Sequence, residues 1–133
     1  MIKEIFDNYF LKKMAEILVI DDDPTIRSLT RLYLEKSGHS VYEAQDGSQG
    51  LDLFKKISPD AVITDIVMPE EEGFKTILEI RKLSKSVPII VITGVKYMGD
   101  VDSLYVAEQF GADKGYHKPL NYQQLITDIE DLL

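Results

Sequence analysis

The sequence contains no cysteine among its 133 residues. It can therefore form no disulfide, no thiolate nucleophile and no zinc–sulfur site. Long apolar runs are absent as well. The longest, such as Ile17–Ile20 and Ile89–Ile92, have four residues each, whereas a membrane-spanning helix needs about 20. We therefore expect no membrane span.

Positive charge is scarce: 15 Lys and Arg residues face 23 Asp and Glu residues, which gives a formal net charge of −8. Such a chain is repelled by phosphate backbones, so we expect no direct binding to nucleic acid. The length corresponds to one domain. A content of 44% hydrophobic and 29% charged residues is typical of a globular protein.

Short apolar runs alternate with longer stretches of helical periodicity from Glu16 onward, which is typical of repeated β-α units around a parallel sheet. Runs that are apolar throughout fit strands covered on both faces, whereas the alternating run at residues 40–44 fits an edge strand. The five predicted strands are residues 17–20, 40–44, 61–63, 89–92 and 114–117. The predicted fold class is therefore α/β.

Five helices are predicted between and after these strands. Asp23 is the expected N-cap of the first helix, Pro24 occupies its first position, and Gly38 ends it. Asn121 is the expected N-cap of the last helix. The predicted ranges are residues 24–37, 48–57, 73–83, 99–110 and 122–133.

Residues 1–13 do not follow the β-α alternation. Their apolar side chains share one face of a helix, which predicts a short amphipathic helix packed on the domain or on a second copy. We therefore divide the chain into an N-terminal extension, residues 1–14, and a domain, residues 15–133. Alternatively, Met14 is the true start and the first residues are dispensable.

Polar residues follow four predicted strands at the carboxyl ends, where ligands bind in open parallel sheets. Asp21 and Asp22 follow the first strand, and Asp65 the third. Thr93 and Lys118 follow the fourth and fifth. Three carboxylates, a hydroxyl and an ammonium are therefore expected at one edge of the sheet.

Clustered carboxylates repel one another unless a cation lies among them, and carboxylate oxygens suit Mg²⁺. If Asp21 and Asp22 hold the ion, Asp65 is left to attack phosphorus and become an aspartyl phosphate. Thr93 and Lys118 would then hold the other phosphoryl oxygens, one by a hydrogen bond and one by charge. The residues thus predict phosphoryl transfer.

Other polar residues have structural interpretations. Asp23 is better explained as a helix cap than as a ligand. The acidic run at residues 70–72 is expected to be a solvated loop, and His39 a surface turn residue rather than a base. His117 lies beside Lys118 and is expected to have a modest influence on the site.

Four motifs, in this order, resemble the receiver domain of two-component response regulators over residues 16–133. The motifs are Ile17-Leu-Val-Ile-Asp-Asp-Asp-Pro24, Ala61-Val-Ile-Thr-Asp-Ile-Val-Met-Pro69 followed by Gly73, Pro88-Ile-Ile-Val-Ile-Thr-Gly94, and Gly111-Ala-Asp113 with Lys118-Pro119. Each motif alone is weak evidence, but their order and spacing together are specific.

The resemblance implies a flavodoxin-like, doubly wound sheet of five parallel strands in the order 2-1-3-4-5. It implies that Asp65 accepts phosphate from the phosphohistidine of a histidine kinase or histidine phosphotransfer protein. Asp22, Asp65 and the main-chain carbonyl of Val67 would hold Mg²⁺, with Asp21 acting through water. Thr93 would turn toward the phosphoryl group, and Lys118 would pair with it.

Such a protein is a cytoplasmic signalling phosphoacceptor that switches protein–protein contacts. It is not an enzyme in its own right, since it assists only its own phosphorylation and slow dephosphorylation. Slow loss of phosphate is expected because Val67 and Val95 cannot orient an attacking water. The last helix has no Lys or Arg, so a charge-paired dimer is not supported and we expect a monomer or a weak dimer.

Two positions depart from the family pattern. Where the family usually has a switch aromatic, this chain has Gly115, and the aromatic is the next residue, Tyr116, whose side chain would point to the other face of the strand. The interval between Thr93 and Lys118 is also longer than usual, and the extra residues are expected at 95–99.

Two other functional classes remain open at this stage. Asp21-Asp-Asp-Pro-Thr25 also fits the nucleophile loop of haloacid-dehalogenase-type phosphatases, in which Asp21 would attack and Asp23 would be the general acid. That interpretation leaves the motif around Asp65 unexplained. A receiver-shaped adaptor that works without phosphorylation is the other class, although all five site residues are present.

Overall fold

A computed structural model describes residues 1–4, 14–66 and 72–133. Seven strands are present in this part of the chain: β1 Glu16–Ile20, β2 Ser40–Ala44, β3 Ala61–Asp65, β4 Ile89–Thr93, β5 Tyr97–Met98, β6 Val101–Asp102 and β7 Lys114–His117. The helices are α1 Pro24–Lys36, α2 Gly47–Ile57, α3 Glu72–Leu83, α4 Ser103–Phe110 and α5 Tyr122–Leu132. No helix among these residues is long and apolar enough to cross a membrane.

Five strands form one parallel sheet in the order β2-β1-β3-β4-β7. This is the predicted order, because β7 is the fifth strand of the sheet. The sheet strands β3 and β4 are buried at every residue, as expected for strands covered on both faces. The strand β2 lies at the edge of the sheet, as predicted, and only Val41 and Ala44 of its five residues are buried. The structure confirms the flavodoxin-like fold.

Alternate residues of each central strand face two separate cores. One core joins Leu18 and Val62 to α2 and α3 through Phe54 and Ile77. The other core holds Ile17, Val19, Ile63, Ile90 and Ile92 against side chains of α1 and α5, among them Leu34, Leu125 and Ile129. Ala107 of α4 also belongs to the first core, so three helices cover that face of the sheet and two cover the other.

The predicted helix over residues 99–110 was too long. The structure places a short antiparallel hairpin, β5 and β6, before α4, which begins only at Ser103. The Asp102 side chain accepts the Leu104 N–H at 2.8 Å and so caps α4 at this later position. The hairpin, residues 97–102, overlaps the segment at 95–99 in which extra residues were expected.

Most other predicted ends agree within a residue. Asp23 caps α1 by accepting the Thr25 N–H, and Asn121 caps α5 by accepting the Gln124 N–H, both as predicted. His39 was predicted to lie at the surface, and that was wrong: it is buried, and its Nδ1 accepts the Ala15 N–H at 3.2 Å. Residues 2–4 are helical, whereas the rest of the predicted N-terminal helix falls on residues 5–13, outside the described residues.

Candidate functional site

Three acidic side chains meet at the carboxyl edge of the sheet. Asp21 follows β1 and is completely buried, Asp22 beside it is exposed, and Asp65 ends β3 with little exposure. Each offers a carboxylate oxygen, and the three oxygens lie within 4.8 Å of one another. The sequence predicted this grouping from the strand ends alone.

Lys118 joins two of these acids. It follows β7, and its Nζ donates to Oδ2 of Asp65 at 2.8 Å and to Oδ2 of Asp21 at 3.1 Å. The backbone holds the lysine in place, because its N–H donates to the Thr93 carbonyl at 2.8 Å. One ammonium therefore lies between two carboxylates that come from different strands.

Burial is the main influence on Asp21. Loss of hydration raises the pKa of this carboxyl above its ordinary value, and the negative charge of Asp65 adds to the rise. The Asp23 N–H, which donates to Asp21 Oδ1 at 2.9 Å, and the Lys118 ammonium both oppose the rise without cancelling it. The cluster therefore carries more negative charge than its one lysine balances.

Burial and neighbouring charges also have opposing effects on the pKa of Lys118. Burial by itself lowers the pKa of the ammonium, but the hydrogen bond and charge of Asp65, with a further contribution from Asp21, outweigh burial and raise the pKa. Lys118 is therefore firmly protonated and remains a cation in the site at neutral pH.

Thr93 ends β4 at the same edge and is completely buried. Its hydroxyl is directed along its own loop: Oγ1 accepts the Val95 N–H at 3.1 Å and lies 3.4 Å from the Val95 carbonyl oxygen. Val67, the predicted main-chain metal ligand, lies outside the described residues. The structure thus groups Asp21, Asp22, Asp65 and Lys118, with Thr93 on the adjoining strand.

Sequence reasoning missed two supporting residues. Arg27 on α1 donates from Nη1 to the Asp21 carbonyl at 2.7 Å and so holds the acidic loop by its backbone. Ser103, the first residue of α4, donates from Oγ to the Val95 carbonyl at 2.5 Å. The pair Asp102-Ser103 is a helix-start signal that helical periodicity across residues 99–110 concealed.

The donor set fits a magnesium ion. Three carboxylates converge within 4.8 Å, and the charge of Lys118 does not offset all of them. Oxygen-only ligands with one exposed member, Asp22, suit a hard cation that keeps some of its waters. Asp21, Asp22 and Asp65 are therefore the described residues that can hold such an ion.

Comparison with known proteins identifies the family of the chain. Residues 17–130 match the family model described as the response regulator receiver domain. The chain belongs to this family. Its members are signalling proteins, and the acidic cluster, the buried threonine and the lysine of this receiver domain occupy the expected ends of its strands.

Curated relatives are similar over the whole of this receiver domain. The chain is 36% identical over 133 residues to a probable transcriptional regulator, ycf27, of Guillardia theta, covering 100% of this chain and 51% of that protein. It is 35% identical over 119 residues to the response regulator MprA of Mycolicibacterium vanbaalenii, covering 90% of this chain and 50% of that protein. The chain thus spans about half the length of these curated relatives.

Solved structures give the same result. A response regulator receiver domain protein from Clostridium thermocellum is 36% identical, with a TM-score of 0.79 over 89% of this chain and 93% of that one. The chemotaxis protein CheY4 of Vibrio cholerae is 29% identical, with a TM-score of 0.80 over 90% of this chain and 99% of that one.

The two faces of β7 differ in a way that the family pattern does not predict. A Cβ added to Gly115 would lie 2.6 Å from Leu104 Cδ2, so the α4 side chain fills the space above this glycine. Tyr116 packs on the opposite core, beside Ile90 and Ile92. The aromatic side chain therefore lies on the other side of the sheet from α4, as the one-residue shift in sequence predicted.

Proposed function

We propose that this receiver domain accepts a phosphoryl group on Asp65 and thereby relays a two-component signal. The observation that supports the proposal most directly is the Lys118 ammonium, 2.8 Å from Asp65 Oδ2 inside a cluster of three carboxylates. A cation held at this distance neutralises charge that arrives on the carboxylate when it gains a phosphoryl group.

The transfer step follows from the chemistry of the two partners. A carboxylate oxygen of Asp65 forms a bond to phosphorus while the bond between phosphorus and the donor's imidazole nitrogen breaks, so the donor histidine keeps the electron pair and takes up a proton. The product is an acyl phosphate on Asp65. Lys118 pairs with a phosphoryl oxygen of this product.

Magnesium, held by Asp21, Asp22, Asp65 and the Val67 carbonyl, would offset the negative charge that the phosphoryl oxygens share with the carboxylates. Asp21 contributes a buried charge that Arg27 and the Asp23 N–H hold in position. Thr93 supplies a hydroxyl that can turn from Val95 toward the phosphoryl group.

We also propose partners for this receiver domain and the boundaries of the domain. The donor is a histidine kinase or histidine phosphotransfer protein, the output is an altered protein contact, and both act in the cytoplasm, where ATP supplies the kinase. Residues 15–133 form the receiver domain, and residues 1–14 are an extension. The domain catalyses no turnover of its own beyond its phosphorylation and slow dephosphorylation.

Intact mass spectrometry after incubation with acetyl phosphate and Mg²⁺ tests the proposal. We expect one phosphoryl adduct on the wild-type chain and none on Asp65→Asn, because the amide cannot act as the nucleophile. Asp131→Asn, which removes an exposed acid on α5, is the matched control and should label normally.

Two results would contradict the proposal. Labelling that survives in Asp65→Asn but is lost in Asp21→Asn would identify Asp21 as the nucleophile, as in a haloacid-dehalogenase-type phosphatase. Absence of any adduct on the wild-type chain with acetyl phosphate and with phosphoramidate would favour an adaptor that works without phosphorylation.

A further inference from the structure

The start of α4 is joined to Thr93 through a single carbonyl group. The Val95 carbonyl oxygen lies 2.5 Å from Ser103 Oγ and 3.4 Å from Thr93 Oγ1. Ser103 and Thr93 are both completely buried, so the two hydroxyl groups approach one acceptor from positions that water cannot reach. The two hydroxyl groups therefore share one carbonyl oxygen, which has a lone pair for each.

The two hydroxyl groups lie at different distances from the Val95 carbonyl oxygen. Hydrogen bonds between oxygen atoms are usually about 2.7–2.8 Å long and weaken beyond that. The Ser103 hydroxyl makes the closer contact to this carbonyl, whereas the Thr93 hydroxyl, at 3.4 Å, is farther away than a strong hydrogen bond allows. Ser103 therefore satisfies the Val95 carbonyl and leaves the Thr93 proton only loosely held.

We propose that Ser103 is a positioning residue that frees the Thr93 hydroxyl to donate to a phosphoryl group on Asp65. The inference depends on the proposed function of Asp65. When Thr93 turns away from its loop, the Val95 carbonyl keeps Ser103 as a donor and is not left unsatisfied. Without Ser103, turning would leave this carbonyl with no donor among the described residues.

The backbone around Ser103 tolerates loss of its hydroxyl. The Ser103 N–H donates to the Lys96 carbonyl at 2.9 Å, and Asp102 caps α4 through the Leu104 N–H at 2.8 Å. Neither contact uses Ser103 Oγ. Ser103→Ala should therefore fold with α4 starting at the same residue.

The first measurement is the rate at which acetyl phosphate and Mg²⁺ label Asp65. We expect Ser103→Ala to label about three- to tenfold more slowly, which corresponds to the loss of one hydrogen bond in the transition state. Ser103→Thr keeps the hydroxyl and should recover most of the wild-type rate. Thr127→Ala removes an exposed hydroxyl that donates to the Gln123 carbonyl at 3.0 Å, and is the matched control.

A double-mutant cycle separates positioning from a general structural effect. If Ser103 acts through the Thr93 hydroxyl, Ser103→Ala should cause no further loss in a Thr93→Ala background. A loss that persists in that background would overturn the proposal. Wild-type labelling rates in Ser103→Ala itself would also overturn it.

Amide exchange gives a readout that does not depend on the labelling rate. The Val95 N–H donates a hydrogen bond to Thr93 Oγ1. Beryllofluoride and Mg²⁺ occupy the site as a phosphoryl mimic. If Thr93 then turns, this hydrogen bond should break and the Val95 amide proton should exchange faster. We expect a smaller acceleration in Ser103→Ala than in the wild type, and an equal acceleration would count against the proposal. If the wild-type chain takes up no phosphate at all, the assignment of Asp65 fails rather than that of Ser103.

Discussion

At the scale of single residues, the site combines buried charges that do not cancel. Asp21 has no exposed surface. Its carboxylate accepts hydrogen bonds from the Asp23 N–H and from Lys118, and Lys118 also donates to Asp65. A carboxyl in this position binds its proton more tightly in the folded chain than in the unfolded one. Its contribution to stability is therefore present below its unfolded pKa and is lost as pH rises through the folded pKa.

Asp21→Asn should for this reason stabilise the metal-free protein at neutral pH, by on the order of 1 kcal/mol. The amide still accepts the Asp23 N–H, and Lys118 still has Asp65 as a partner. Urea unfolding in the presence of a chelator measures the change in the free energy of unfolding. The gain should shrink as pH falls toward the ordinary pKa of aspartate.

Asp52→Asn, at an exposed position of α2, is the control and should change stability little. If Asp21→Asn instead lowers the free energy of unfolding, the ion pair with Lys118 outweighs the cost of burying the carboxylate.

The sequence predicted the site residues better than their supports. Asp21, Asp65 and Lys118 were predictable because each lies at the carboxyl end of a strand, and the ends of parallel strands share one edge. The contacts of Arg27 and Ser103 were not, because each joins a helix side chain to a backbone carbonyl of the preceding loop. Nothing in the local pattern of a helix indicates which carbonyl its side chain will reach.

At the scale of secondary-structure elements, α3 packs closely against the residue that follows β3. A Cβ added to Gly73 would lie 2.1 Å from the Ile66 carbonyl oxygen and 2.3 Å from its Cα. These are backbone atoms, so no side-chain rotation relieves the contact. Gly73 thus fixes the approach of α3 to the residue that follows Asp65.

Gly73→Ala should therefore lower the free energy of unfolding by about 2–3 kcal/mol, because either α3 or Ile66 must move. Chemical denaturation followed by circular dichroism measures the loss. In Gly94→Ala the added methyl lies no closer than 4.0 Å to Lys118 Cδ, so this control should stay within about 0.5 kcal/mol of the wild type. Equal effects of the two substitutions would refute the argument.

The predicted start of the helix before residue 110 was wrong because helical spacing continues across the true helix start. Val101, Leu104 and Tyr105 have helical spacing, which extended the predicted helix back to residue 99. The structure places Val101 in the hairpin and only the other two on α4. Because a short hairpin buries little, periodicity cannot separate it from a helix, and the cap at Asp102 was the better signal.

At the scale of the whole molecule, the net charge of −8 and the three clustered acids favour binding of a divalent cation to the folded chain. A ligand that binds only the folded state stabilises it by about 1.4 kcal/mol when its concentration is ten times its dissociation constant. Mg²⁺ should therefore raise the unfolding temperature, and a chelator should reverse the rise.

Thermal unfolding with MgCl₂, compared with NaCl at the same ionic strength, separates site binding from screening of the net charge. Asp22→Asn should remove most of the magnesium-specific rise, because it deletes an accessible ligand, whereas Asp131→Asn should preserve it. A rise of equal size with both salts would show that screening alone is responsible.

Leu104 of α4 packs directly over Gly115 of β7. The Tyr116 ring packs, partly buried, on the opposite core and so lies away from α4. If Asp65 is phosphorylated as proposed, we expect the change at Thr93 to reach β7 as a displacement of α4 rather than as a flip of Tyr116. A spin label on an exposed α4 position such as Tyr105 would register that motion.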